Sequence, residues 1–227
     1  MASTYGEITE PVSRTAWEDW DDVTEENNIK LEWLNNIPAP ESINTLLVLE
    51  GKYLHDCITS QTNSELELLD YVKEVGLCMY KMDNESMKYI CVIKDYNLLH
   101  SSEIIELLKP YILSSRDVIT IQTKPLAEYQ SFELTSQDCI IRSVNTTKLL
   151  SEEFKIPKLE QPNIISGVSA GVICLREHLD MPGKALICYV EHPEEYQVNE
   201  IKAMLRKLGI MSNTSRPNNI LNSNLYV

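Results

Sequence analysis

The pattern nearest to catalytic machinery is Gly167-Val168-Ser169-Ala170-Gly171, followed by Asp180 and His192. G-x-S-x-G puts a serine on a sharp strand-to-helix turn, and an acid and a base then arrive in the order a hydrolase uses. The spacing opposes it. Ser169 opens a helix that runs to about Leu179, and eleven positions at ~1.5 Å each put Asp180 roughly 16 Å away along the axis. The better account is packing: Gly167, Ala170 and Gly171 let the helix lie close against a sheet, while Val168, Val172, Ile173 and Leu175 supply apolar contact. No catalytic residue is assigned. A small α/β hydrolase or phosphorylase-like enzyme using Ser169 is the alternative function, carried by that pattern alone.

Other reactive residue types are scattered. His55, His100, His178 and His192 lack the i, i+4 spacing or Cys/Asp neighbours that chelate a metal, so no metal site is expected. Cysteines 57, 78, 91, 139, 174 and 188 lie mostly in apolar runs and never form C-x-x-C, which reads as reduced, buried thiols. Gly51-Lys52 lacks the upstream glycine and following Ser/Thr of a phosphate loop, so no cofactor is expected. Glu160-Gln161-Pro162-Asn163 is read as a turn fixed by side-chain-to-backbone hydrogen bonds.

Recognition chemistry concentrates at the last three residues, Leu225, Tyr226 and Val227. They place an aliphatic side chain, a phenol and a carboxylate together, the combination by which a chain terminus fills a slot and pairs with a lysine and backbone N–H groups. The preceding SNTSRPNNILNSN, residues 212 to 224, offers little to bury and reads as a flexible tether. Such a tether reaches ~20 Å root-mean-square.

Charge narrows the partner. A net charge of −14 opposes nucleic acid, whose phosphates require a basic face, and favours protein. Residues 1 to 32 carry nine acids against Arg14 and Lys30, so residues 1–40 read as an acidic, mostly disordered arm. Trp17, Trp20 and Trp33 punctuate it, and one reading has an aromatic of the arm tucked against the core. Trp20-Asp21-Asp22-Val23 also resembles a short peptide that autophagy adaptors read by strand addition. No signal peptide or membrane span is expected, which gives an address in the cytosol, in the nucleus or at the surface of the endoplasmic reticulum.

Between arm and tail, residues 41–211 alternate strand and helix. Strands are expected at Ile43–Leu49, Leu77–Met82, Tyr89–Lys94, Val118–Gln122, Cys139–Val144 and Ala185–Val190 from apolar or β-branched runs. Asp83-Asn84-Glu85-Ser86 should turn a hairpin, and residues 124 to 137 a surface connection. Helices are expected at Tyr53–Ser60, Glu65–Val75, Glu103–Leu113, Val168–Leu179 and Val198–Leu208, the last ended by Gly209. Alternation of this kind predicts an α/β three-layer sandwich, a mixed, largely parallel sheet with helices on both faces.

A hydrophobic-Tyr-X end resembles the motif by which proteasome activators and certain assembly chaperones dock between α-subunits of the 20S core particle. The opening MASTYGEITEP, the run Leu159-Glu160-Gln161-Pro162-Asn163-Ile164 and the closing Ser223-Asn224-Leu225-Tyr226-Val227 are similar, in order and place, to landmarks of the proteasome assembly chaperones. The resemblance implies a three-layer fold and a non-enzymatic chaperone of 20S proteasome assembly. It further implies a heterodimer with a second, related assembly chaperone that holds α-subunits while the α-ring forms. Leu225, Tyr226 and Val227 would then dock in an α-subunit pocket.

Overall fold

The computed structural model describes residues 30–59, 66–82, 87–131, 139–148, 156–191 and 195–211. The chain divides into two units, residues 1–30 and 31–227, and every described strand and helix belongs to the second. Trp17, Trp20 and the tail from residue 212 lie outside the described residues, as do the hairpin turn at 83–86 and His192.

In chain order the elements are β1 (Ile43–Glu50), α1 (Lys52–Thr59), β2 (Leu66–Val72), β3 (Leu77–Met82), β4 (Lys88–Ile93), α2 (Ser101–Ser114), β5 (Ser115–Pro125), β6 (Cys139–Asn145), α3 (Gly167–His178), β7 (Gly183–Val190) and α4 (Glu195–Lys207). One seven-stranded sheet runs in the order β2-β3-β4-β1-β5-β7-β6. Its centre, β4-β1-β5-β7, is parallel, and β2, β3 and β6 attach antiparallel at the margins.

Near-continuous apolar runs such as INTLLVL suit strands buried on both faces. Successive residues of β1 divide between two cores: Leu46 and Val48 pack with Ile104 and Leu108 of α2 and Val168 and Val172 of α3. Leu47 and Leu49 pack with Leu54 and Ile58 of α1 and Ile201 and Leu205 of α4. The three-layer sandwich follows from that two-residue period. No helix among the described residues is long and apolar enough to cross a membrane.

Residues 65–75 correct the helical expectation, because residues 66 to 72 form strand β2. Leu68 pairs with Tyr80 and Asp70 with Met79, leaving Leu69 as an extra residue. A bulge shifts the alternation by one and so imitates a spacing of three in sequence. Leu66 packs into one core while Leu69 and Val72 pack into the other, a division that a single helical stripe does not make. The stretch read as a surface connection also begins later than expected: β5 continues to Pro125 and a 3-10 turn spans Leu126–Glu128.

Both sheet edges are partly covered, which limits pairing with other chains. Outside β6, Ser143 donates its N–H to the Pro157 carbonyl (2.8 Å) and its carbonyl accepts the Leu159 N–H (2.9 Å). Outside β2, the Leu34 N–H reaches the Tyr71 carbonyl at 3.1 Å. The segment leading there is anchored by buried Leu31 and Trp33. The Trp33 ring meets Tyr111 edge-on at 6.0 Å, and its indole N–H donates to the Leu107 carbonyl at 3.4 Å.

Gly171 of α3 requires a second correction. A Cβ on Gly171 would stand 2.0 Å from Ile105 Cδ1, so its smallness lets α3 approach α2, not the sheet. Arg176 explains part of that helix pair. It is 0% exposed on the Val168-Val172 stripe of α3, and its guanidinium donates to the carbonyls of Ile112, Ser115, Arg116 and Pro182 at 2.6–3.0 Å. The end of α2, the start of β5 and the approach to β7 are tied by one side chain. Burial lowers its pKa from the ordinary arginine value, with Asp117 acting in the opposite direction.

Candidate functional site

Between β1 and β5 the connections diverge, since β1 leads by α1 toward β4 on one side and β5 leads toward β7 on the other. Open α/β sheets bind ligands outside the carboxyl ends of strands at such a switch point. In this chain the position is filled from within. Glu50, the last residue of β1, is 5% exposed and pairs in register with Gln122 of β5. Its Oε2 accepts the Ser169 N–H at 2.9 Å, and its Oε1 accepts the Gln122 amide at 2.9 Å and the Tyr96 hydroxyl at 2.5 Å. The Tyr96 oxygen in turn accepts the Val168 N–H at 2.9 Å. A carboxylate at the amino end of α3 meets free N–H groups and the positive end of the helix dipole, the place an anionic ligand would otherwise take.

Gly167 makes this closure sterically feasible. Its φ of +70° lies in the left-handed region, and a Cβ there would stand 2.3 Å from the Tyr96 hydroxyl and 2.5 Å from Glu50 Oε1. Burial, then the neighbouring Glu50 carboxylate, pushes the Tyr96 phenol well above its ordinary pKa, so it remains a donor.

Among the described residues, Ser169 and Asp180 are not brought together. Ser169 is fully buried and its Oγ has no hydrogen-bond partner, although its backbone N–H is taken by Glu50. Asp180 sits beyond the end of α3, where it pairs with Lys148 at the surface. A nucleophile needs a base within hydrogen-bond reach, and none of the described side chains supplies one to Ser169.

Glu160-Gln161-Pro162-Asn163 forms the expected turn. The Asn163 N–H and Nδ2 both reach the Glu160 carbonyl, at 3.1 and 3.0 Å, across a cis Gln161-Pro162 bond. Asn163 also clasps Gln130 through Nδ2 to its carbonyl (2.7 Å) and Oδ1 from its N–H (2.8 Å). Glu160 accepts from Arg142 Nε at 2.9 Å and from the Tyr129 hydroxyl. Burial works to raise the Glu160 pKa, but these two donors hold it below the ordinary value.

Among the described residues His55 meets Asp56, His100 meets Glu103, and no group of three potential ligands could hold a metal. None of the six cysteines is in a disulfide: 57, 91, 139 and 188 are buried, Cys78 is half-buried and Cys174 is exposed. Leu225, Tyr226 and Val227 lie outside the described residues. Sequence reasoning missed Glu50, Tyr96 and Gln122. The available signals were an acid and an amide closing the otherwise apolar runs of β1 and β5; Tyr96 offered none.

No family model and no curated protein matches the chain. Solved structures do. Pyrococcus furiosus PbaA, an archaeal homolog of proteasome-assembly chaperone, superposes with a TM-score of 0.53 at 13% identity, over 80% of this chain and 87% of that one. Its monoclinic form gives 0.54 at 15%, over 79% and 83%. The chain shares their fold. It is shared too by Pyrococcus furiosus PbaB, an archaeal proteasome activator, with a TM-score of 0.52 at 9% identity over 81% of this chain and 91% of that one.

Proposed function

We propose that this chain is a non-enzymatic chaperone of 20S proteasome core assembly. The observation that carries the reading is the fold shared with PbaA, itself an archaeal homolog of proteasome-assembly chaperone. Two sequence features sharpen it. The opening block, the Leu159–Ile164 run and the closing block resemble those of proteasome assembly chaperone 1 in particular, and Leu225-Tyr226-Val227 has the hydrophobic-Tyr-X form of proteasome docking ends. The filled switch point adds physical support, because Glu50 stands where a doubly wound enzyme would admit a ligand.

In this account the chain pairs with a second chaperone of related fold, and the pair holds α-subunits while the ring closes. It works in the cytosol or nucleus, or at the surface of the endoplasmic reticulum. Leu225 fills the apolar part of an α-subunit pocket, Tyr226 packs its ring and hydrogen-bonds, and Val227 supplies a carboxylate. A three-residue plug alone binds weakly, but docking of the folded body raises its effective concentration, so retention is strong yet can be lost stepwise. The test is affinity capture of α-subunits, read by mass spectrometry, with the intact chain and with residues 225–227 deleted. Reduced capture with partner binding preserved supports the account; undiminished capture rejects it.

A further inference from the structure

On the α1 and α4 side of the sheet, the β2-β3 hairpin carries an apolar ladder that those helices do not finish covering. Its rungs are Leu66 with Met82, Leu68 with Tyr80, and Tyr71 with Cys78. Met82 is 3% exposed, Leu66 and Tyr80 are half-buried, and Leu68 and Tyr71 rise to 51% and 37%. The two rungs beyond Leu66 and Met82 are therefore the exposed ones.

The chain leaves the described fold at the buried end. Leu208 and Met211 pack against the same core as Leu66 and Tyr80. A Cβ on Gly209 would stand 3.3 Å from Nζ of Lys88, the first residue of β4. Beyond Met211 come eight residues without a large apolar side chain, SNTSRPNN, and then Ile220-Leu221. Nine extended steps from Met211 to Ile220 span up to ~30 Å. From Met82 to Cys78 is four residues of strand, ~13 Å. The first aliphatic pair past the exit can reach every rung.

The geometry points to a docking site for this chain's own Ile220-Leu221 on the Leu68-Tyr71-Tyr80 face. Two aliphatic side chains there complete the burial that Met82 and Leu66 begin. The consequence for the end of the chain rests on the proposed function. With Leu221 fixed, the tether to Leu225 shortens to the three residues between them, and its reach falls from ~20 Å to roughly 10 Å. The tip is then offered from one side of the fold at raised effective concentration.

Hydrogen exchange by mass spectrometry on the full-length free protein tests the docking without any α-subunit, so it can fail independently of the proteasome reading. Amides of residues 219–222 should exchange at least about tenfold more slowly than in Ile220→Ser/Leu221→Ser, and Tyr71→Ser should remove the same protection. The tail variant leaves the folded body intact, so misfolding does not confuse the result. Equal exchange in wild type and tail variant overturns the inference. Protection lost on dilution would assign the face to a second copy, and protection of β2 lost only on deleting residues 1–29 would assign it to the acidic arm; either overturns it.

Discussion

Glu50 Oε2 accepts the backbone N–H of Ser169 at 2.9 Å, a bond that joins residues 119 apart in sequence. It closes the carboxyl end of the sheet on the helix that the glycine-serine pattern opens. Removing the carboxylate strands two donors in a buried place, the Ser169 N–H and the Tyr96 hydroxyl, and leaves the Gln122 amide only the Ser166 carbonyl at 3.2 Å. Glu50→Ala should therefore cost about 2–4 kcal/mol in denaturant unfolding. A change below about 0.5 kcal/mol, the size of an ordinary surface substitution, would mean that the cluster holds nothing together.

Gly167 and Gly171 should respond differently to alanine although both have atoms within 2.5 Å of the added Cβ. At Gly167 the obstacles are the Tyr96 hydroxyl and Glu50, and φ is +70°, so about 2–3 kcal/mol is expected. At Gly171 the obstacle is Ile105 Cδ1, the far end of a side chain that can turn away, and the cost should stay under about 1.5 kcal/mol. Equal losses would contradict this reading of α3.

Arg176 satisfies four backbone carbonyls from a fully buried position. Arg176→Met removes this donor from all four, and a loss of about 3 kcal/mol lowers Tm by roughly 6–12 °C in a chain this size. Arg176→Lys should recover little, because an ammonium cannot reproduce the planar fork. Full rescue by lysine would show that charge, not geometry, matters.

Much of the fold is legible locally, for physical reasons. β1, β4 and β7 are buried on both faces, so their sequences are apolar almost without interruption. β2 is not legible, because its bulge at Leu69 disguises the strand period and only pairing with β3 reveals it. The Glu50 cluster joins positions 50, 96, 122 and 169, and no window of sequence contains it. Arg176 did carry a signal, a cation four residues after Val172 on an otherwise apolar stripe.

Glu160 gives the pH dependence. Its folded pKa lies below the ordinary 4.5, so its contribution is present above 4.5 and is lost as pH falls through the folded value. Relative to wild type, Glu160→Gln should lose less stability on acidification below pH 4.5, measured by urea unfolding at stepped pH. A steeper acid loss in the variant would reverse the assigned sign.

In the proposed function the end of the chain docks in a proteasome α-subunit pocket. Purified α-rings are titrated with the wild-type chain and with Tyr226→Ala, each in complex with the second chaperone that the proposed function requires. The account predicts that Kd rises at least about tenfold, the loss of ~1.4 kcal/mol, with Tm unchanged. A Kd within about twofold of wild type would contradict it.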